Sequence, residues 1–204
     1  MLLLLFEVVP REGHVDEYLA IAARLRPELD ALGGCLFLDR FRSLAEPRRI
    51  LSFQVWRDEA SLTRWRVHHE HHKAQTLGRV RVFDDYRLRV ATLLRAESVN
   101  EPEWRASQGA SWNDPATVAP RYVAVAESAS ATLPGAGESF ESIYRPGEYA
   151  HVFSWMPQQA APSLATLAGA RRLRIGEIER DYGMRERAEA PQYFAPIPSP
   201  PPTP

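Results

Sequence analysis

The chain has 204 residues, of which 45% are hydrophobic and 25% are charged, and its formal net charge is −1 at pH 7. These totals are ordinary for a soluble globular protein of one or two domains, and they give no broad basic surface for nucleic acid. The single cysteine, Cys35, excludes an intrachain disulfide and a thiolate metal cluster, which fits a reducing compartment such as the cytoplasm. The apolar residues 2–6 predict a buried strand, because they are too short for a membrane span and lack the flanks of a secretion signal.

The first half of the chain alternates strand and helix patterns in the order β-α-β-β-α-β. The strands are predicted over residues 3–9, 35–41, 50–56 and 80–93, and the helices over residues 14–32 and 59–74. Pro27 is expected to kink or restart the first helix, Gly33-Gly34 to end it, and Asp58 to cap the second helix. This order is typical of a split-βαβ, ferredoxin-like unit.

Part of this unit recurs in the second half without a gap. The first copies are Phe41, Ser43, Leu44, Pro47 and Trp56, and their counterparts, in one register, are Phe140, Ser142, Ile143, Pro146 and Trp155. The pair Asp85-Tyr86 recurs near its expected place, but outside that register, as Asp181-Tyr182. Self-similarity at one long spacing indicates a folding unit that is present twice. Further strands are predicted over residues 121–127, 138–144, 149–155 and 173–187, with a weak helix over 158–167. The stretch 128–135 cannot hold a copy of the long first helix.

These patterns predict the organisation of the whole chain. A first domain is expected over residues 1–95, a linker or arm over 96–120, and a second, degenerate unit without the first helix over 121–195. The proline-rich tail over 196–204 is expected to be disordered. Trp104 and Trp112 suggest that the linker packs on the body, since disordered segments have few aromatic residues. The fold class is therefore α+β, with two ferredoxin-like units that form a barrel within one chain or through dimerisation.

A set of short motifs runs through nearly all of the first unit. They are Phe6-Glu7-Val8, Asp16-Glu17-Tyr18-Leu19, Leu25-Arg26-Pro27-Glu28-Leu29, Phe41-Arg42-Ser43, Leu51-Ser52, Trp56-Arg57-Asp58-Glu59, Trp65-Arg66, Glu70-His71, Gln75, Gly78-Arg79, Phe83-Asp84-Asp85-Tyr86-Arg87 and Arg89-Val90-Ala91. Through these motifs the first unit resembles the antibiotic biosynthesis monooxygenase family. The resemblance implies a dimeric α+β barrel with a small-molecule pocket beneath the helices. Some family members oxygenate aromatic polyketides with dioxygen and without metal or flavin, and others bind haem and open its ring.

The densest polar cluster, residues 65–75, lies on the second predicted helix and has no counterpart in the second unit. His71 matches a motif position of the family, so the resemblance makes it the expected base or hydrogen-bond partner, a task that suits imidazole. The expected substrate-binding residues are Trp65, Arg66, His68, Gln75 and Tyr86. Three of them also have a structural interpretation: Trp65 could be a core residue, Arg66 a solvated helix residue, and Tyr86 part of a strand with paired charges.

The histidines of this helix allow two cofactor hypotheses. His68 and His72 are four residues apart and could share a divalent ion, but the zinc-protease pattern fails at Lys73 and the sequence shows no third ligand. In haem-degrading relatives a histidine ten residues after the helix tryptophan binds the iron; here that position is Gln75, and an amide is a poor axial ligand. The sequence therefore predicts no metal and no cofactor, with haem as the alternative.

The predicted function is a monooxygenase-like enzyme that oxygenates a small aromatic or quinone-like molecule with dioxygen and without metal or flavin. A haem-binding, haem-degrading protein is one alternative. A non-catalytic small-ligand binder or assembly module is another. The expected partners are a small-molecule substrate and a second copy of the chain, or a pseudo-dimer within one chain, with neither nucleic acid nor membrane.

Overall fold

A computed structural model describes residues 1–106, 121–155, 159–194 and Ile197. The first unit contains β1 (Leu2–Pro10), α1 (Val15–Leu32), β2 (Cys35–Ser43), β3 (Ile50–Trp56), α2 (Glu59–Val67), α3 (His69–Leu77), a π-helical turn (Gly78–Val82) and β4 (Phe83–Ser98). After β5 (Glu101–Arg105), the second unit contains β6 (Tyr122–Ser128), β7 (Glu138–Ser142), β8 (Tyr149–Trp155) and β9 (Ala170–Gly183).

The strands form one antiparallel sheet that closes on itself. The first unit has the strand order β4-β1-β3-β2, and the second unit has the matching order β9-β6-β8-β7. The two are joined by pairing of β2 with β7 and of β4 with β9, so eight strands of the described part of the chain close a barrel. The predicted fold class, two ferredoxin-like units that form an α+β barrel, is confirmed, and the closure occurs within one chain.

Alternation along β1 separates two environments, because successive side chains of a strand point to opposite faces. Leu3 and Leu5 lie in the barrel interior with residues from both units, such as Phe53 and Phe140. Leu4 and its neighbours on the other face pack against the helices. The helices of the described residues all cover the outer face of the first unit's sheet, and the candidate site lies in that layer.

Several predicted elements differ from those observed. The helix α1 continues through Pro27 without a restart. The weak helix predicted over residues 158–167 is wrong for the described residues 159–167, which form turns; Pro162 lacks a helical N–H donor, and the Thr166 hydroxyl closes a single turn on Ser163. Between β6 and β7, residues 129–137 form turns.

The region predicted as a linker begins with ordered β-structure. The strand β4 runs on to Ser98, and β5 folds back onto it, with Trp104 packed against the barrel core. The rest of that region, including Trp112, and the predicted tail apart from Ile197 lie outside the described residues. No helix in the described ranges is both long enough and apolar enough to cross a membrane.

Candidate functional site

A cavity of about 170 Å³ lies between the outer face of the first sheet and the helices. Its apolar walls come from the strands and from the helices: Leu4, Phe6, Leu38, Leu88, Val90, Ile21, Leu25, Leu29, Leu62 and Trp65. An engineered protein cavity of about 150 Å³ is sufficient to bind benzene. The site therefore has room for an aromatic ring in a largely apolar environment.

The helix predicted over residues 59–74 is broken in the middle, and the break shapes the site. At His68 the backbone leaves the helical region, with φ −60° and ψ 130°, and α3 starts at the next residue. A break of this kind deprives carbonyl groups of the preceding turn of helical donors. The Trp65 carbonyl oxygen still accepts the backbone N–H of His68 at 3.2 Å, and side chains of α3 add to the bonding of this turn. His71 Nδ1 lies 2.9 Å from the carbonyl oxygen of Trp65, and Gln75 Nε2 lies 3.3 Å from that of Arg66.

These contacts fix the state of the His71 imidazole. Because a carbonyl oxygen only accepts hydrogen bonds, we assign the proton to Nδ1 and the lone pair to Nε2. Gln75 Nε2, which lies 3.2 Å from Nδ1, is then a neighbouring group and not a donor to this nitrogen. The ring stacks on Trp65, with centroids 4.2 Å apart and planes 14° apart. Burial lowers the pKa of His71 from 6.5 to about 4, with the Trp65 hydrogen bond opposing the shift and the neighbouring histidines adding to it. At neutral pH the ring is therefore an uncharged hydrogen-bond acceptor.

Whereas His71 is an uncharged acceptor, positively charged hydrogen-bond donors surround the Tyr86 hydroxyl. Its oxygen accepts hydrogen bonds from Arg79 Nη1 at 2.6 Å and from Arg187 Nη1 at 2.9 Å. With both lone pairs engaged, the hydroxyl proton remains to be donated. The ring of Phe194 lies over both guanidinium groups, at 5.0 Å and 5.3 Å, in the cation–π arrangement. This part of the cavity is cationic and rich in hydrogen-bond donors.

Five of the six residues singled out in the sequence line this one cavity, namely Trp65, Arg66, His71, Gln75 and Tyr86. The sixth, His68, is not among the lining residues that the structure describes. Its ring lies 5.8 Å from that of Trp65, and its Nε2 is 3.8 Å from a carboxylate oxygen of Glu28. The two histidines of the metal hypothesis have different neighbours, since His72 stacks on Phe194. Within the described ranges no group of three or more His, Cys, Asp or Glu side chains could hold a metal ion.

Residues of the second unit also line this cavity, which the sequence did not lead us to predict. Its lining residues from that unit are Arg180, Tyr182, Arg187, Gln192 and Phe194. Gln192 Nε2 donates to Gln75 Oε1 at 2.8 Å and so ties the C-terminal segment to α3. The recurrence of Asp85-Tyr86 as Asp181-Tyr182 was the available signal, because β4 and β9 pair side by side and bring the two tyrosines to neighbouring positions.

The fold and the cavity define an α+β barrel with a largely apolar cavity beneath its helices. The family model of the antibiotic biosynthesis monooxygenases matches residues 1–77. The "Jasmonate monooxygenase ABM" of Pyricularia oryzae is 32% identical over 217 residues, which span 96% of this chain and 99% of that protein. The chain belongs to the antibiotic biosynthesis monooxygenase family, as the likeness of the first unit predicted, and both findings support an oxidoreductase of the monooxygenase type.

Two solved structures also resemble this chain. A candidate monooxygenase from Lactobacillus acidophilus is 9% identical with a TM-score of 0.43, and the match covers 86% of this chain and 93% of that one. An anthrone oxidase-like protein is 12% identical with a TM-score of 0.39, covering 94% and 96% of the two chains.

Proposed function

We propose that the protein oxygenates a small aromatic or quinone-like substrate with dioxygen, in the cavity beneath the helices and without metal or flavin. The observation that carries this proposal is the uncharged, buried His71 imidazole, which lines a largely apolar cavity with room for an aromatic ring. Membership of a monooxygenase family supports the reaction type.

The chemistry needs a substrate that can become an electron-rich anion. His71 Nε2 would accept a proton from a phenol or from an activated CH₂ group, and the anion would pass one electron to dioxygen. The resulting superoxide and substrate radical combine to form a C–O bond, and the peroxide then loses water and leaves a carbonyl group. For a CH₂ group converted to C=O, one oxygen atom enters the substrate and the other leaves as water. The substrate supplies all four electrons, so no external reductant is required.

The low pKa of His71 limits which substrates this base can serve. Proton transfer from a phenol with a pKa of about 10 to an imidazole with a pKa of about 4 costs roughly 8 kcal/mol. The cost falls when the oxyanion stays beside the new imidazolium ion in a water-poor cavity, where opposite charges attract strongly. Substrates with delocalised anions, such as hydroquinones and anthrones, meet this requirement best.

Haem is the alternative that the sequence left open. At the position of the axial ligand, Gln75 bonds through its amide to Gln192 and to the carbonyl of Arg66. Both ends of the Gln75 amide are thus used in hydrogen bonds, and an amide is a poor ligand for haem iron. This arrangement supports the cofactor-free hypothesis. Titration with hemin tests it: a stoichiometric complex with a shifted Soret band would favour the haem hypothesis instead.

Oxygen uptake tests the proposed reaction. The protein is first treated with a chelator and checked to be free of flavin, and then assayed with a panel of hydroquinones and anthrones; jasmonate is included because it appears in the name of the relative. We expect His71→Asn to lower uptake by about 10²-fold or more, since the amide can still donate to Trp65 but offers no basic nitrogen. His69→Asn is the matched control, because His69 is exposed and lies outside the cavity lining. Unchanged uptake in His71→Asn would show that His71 is not the base.

A further inference from the structure

The charges that line the cavity are unbalanced. Six arginines, and no aspartate or glutamate, are among its described lining residues: Arg26, Arg40, Arg66, Arg79, Arg180 and Arg187. Some of them have carboxylate partners outside the lining. Arg26 pairs with Asp30, and Arg66 and Arg180 share Glu59. The remaining lining arginines are Arg40, Arg79 and Arg187.

Arg187 shows the imbalance most clearly. Its hydrogen bonds go to neutral acceptors, namely the Tyr86 hydroxyl at 2.9 Å and the carbonyl oxygens of Gly183 at 3.3 Å and Gln192 at 2.9 Å. No carboxylate in the described part of the chain forms an ion pair with it. A second guanidinium, that of Arg79, reaches the same hydroxyl oxygen. Two guanidinium groups that meet beside an apolar cavity both contribute positive potential to that end of it.

We propose that this cationic end, formed by Arg79, Tyr86 and Arg187, binds a carboxylate group of the substrate. A carboxylate has up to four acceptor positions, so it can accept from the guanidinium groups and from the free hydroxyl proton of Tyr86. Charge-assisted hydrogen bonds of this type are the strong ones. The rest of the cavity is largely apolar and has room for an aromatic ring, so the substrate class is a small aromatic carboxylic acid. This inference rests on the proposed function only in assigning the substrate to this cavity.

The carboxylate site is also connected to the proposed base. Arg187 Nη2 donates to the carbonyl of Gln192, and the side chain of Gln192 donates to Gln75, which lies one helical turn from His71 on α3. A carboxylate held at Tyr86 would direct the apolar body of the molecule along the wall that Trp65 and His71 form. The second unit then supplies a residue that determines substrate specificity, because Arg187 follows β9.

Binding of two matched probes tests the inference without any turnover. We expect 3-phenylpropanoate to bind the full-length protein at least 10-fold more tightly than 3-phenylpropan-1-ol in calorimetric titrations. Arg187→Gln should weaken binding of the acid by about 10- to 100-fold, the range for hydrogen bonds to charged groups, and leave binding of the alcohol within about threefold. Arg185→Gln is the matched control: Arg185 pairs with Asp85 and does not line the cavity. It should leave both affinities unchanged.

Three results would overturn the inference. The first is equal affinity of the wild type for the acid and the alcohol, and the second is failure of the acid to bind. The third is that Arg187→Gln weakens the binding of both probes equally, which would mean that this arginine only holds the C-terminal segment in place. Should Arg187→Gln fail to fold, Tyr86→Phe replaces it; it removes one donor and should weaken binding of the acid alone, by about 3- to 10-fold. Selective binding of the acid without oxygen uptake would uphold this inference and contradict the proposed reaction, so the two can fail separately.

Discussion

The outer faces of the two sheets differ although their strands have the same order. On the first unit, large residues such as Leu4 and Phe6 face the long helices, and a cavity remains between the two layers. On the second unit the strand residues include the small Ala124 and Ala126, and the turn residue Leu133 packs directly on them. On the outer faces that the structure describes, the helices of the first unit thus leave a cavity above the sheet, whereas the turn of the second unit packs directly on its strands.

The interior of the barrel, in contrast, is common to both units. Phe41 and Phe140 are fully buried there, at the place where β2 pairs with β7. We expect Phe41→Ala and Phe140→Ala each to lower the free energy of unfolding by about 3–5 kcal/mol, the largest effect among these predictions. Urea unfolding followed by circular dichroism and by tryptophan fluorescence should give a single transition in each variant. Two separate transitions would show that the units do not share one core.

Overpacking tests the closed outer face of the second unit. Ala126 is fully buried beneath the turn that carries Leu133. Ala126→Leu should lower the free energy of unfolding by about 1–3 kcal/mol, because the added atoms have no space to occupy. The control is Ala131→Leu, an exposed change in the same turn, which should stay within about 0.5 kcal/mol of the wild type. A neutral Ala126→Leu would reveal space on this face as well.

Acid should destabilise the protein partly through His71. Its pKa is lowered to about 4 in the folded state, so between pH 6.5 and 4 the unfolded chain binds more protons and stability decreases as the pH falls. From pH 6.5 to 5 the loss attributable to this residue is about 2 kcal/mol. The urea midpoints of His71→Asn should vary less with pH than those of the wild type. The midpoints of the variant should still depend on pH to some extent, because burial also lowers the pKa of His151 in the second unit. Ser128 and Ser139 form hydrogen bonds with the ring nitrogens of His151. Identical pH profiles of variant and wild type would contradict the buried, neutral state of His71.

Filling the cavity should affect binding far more than stability. Ala22 lies on α1 and lines the cavity. In contrast to Ala126→Leu, Ala22→Leu places its added atoms in open space, so its free energy of unfolding should change by less than about 1 kcal/mol. Calorimetric titration should show that it no longer binds 3-phenylpropanoate. Undiminished binding would mean that the ligand occupies another part of the molecule.

Much of the fold is encoded locally and could be predicted. Apolar residues at helical spacing and alternating strands located α1 and the strands of the first unit to within a few residues, because these periods follow directly from backbone geometry. The recurrence of residues such as Phe41 and Trp56 indicated the second set of strands. The break at His68 was missed, because no proline or glycine marks it; the side chains that satisfy its carbonyl groups lie on the following helix.

The sequence by itself determined the order of the elements, the two related units and the cluster around His71, since each depends on neighbouring residues or on similarity along the chain. Closure of the barrel within one chain, the lowered pKa of His71 and the meeting of Arg187 with Tyr86 were decided by the tertiary structure. Arg187 lies about 100 residues from Tyr86 along the chain and reaches it only because β9 pairs with β4. Burial and long-range strand pairing depend on the whole packed molecule, so no local pattern reports them.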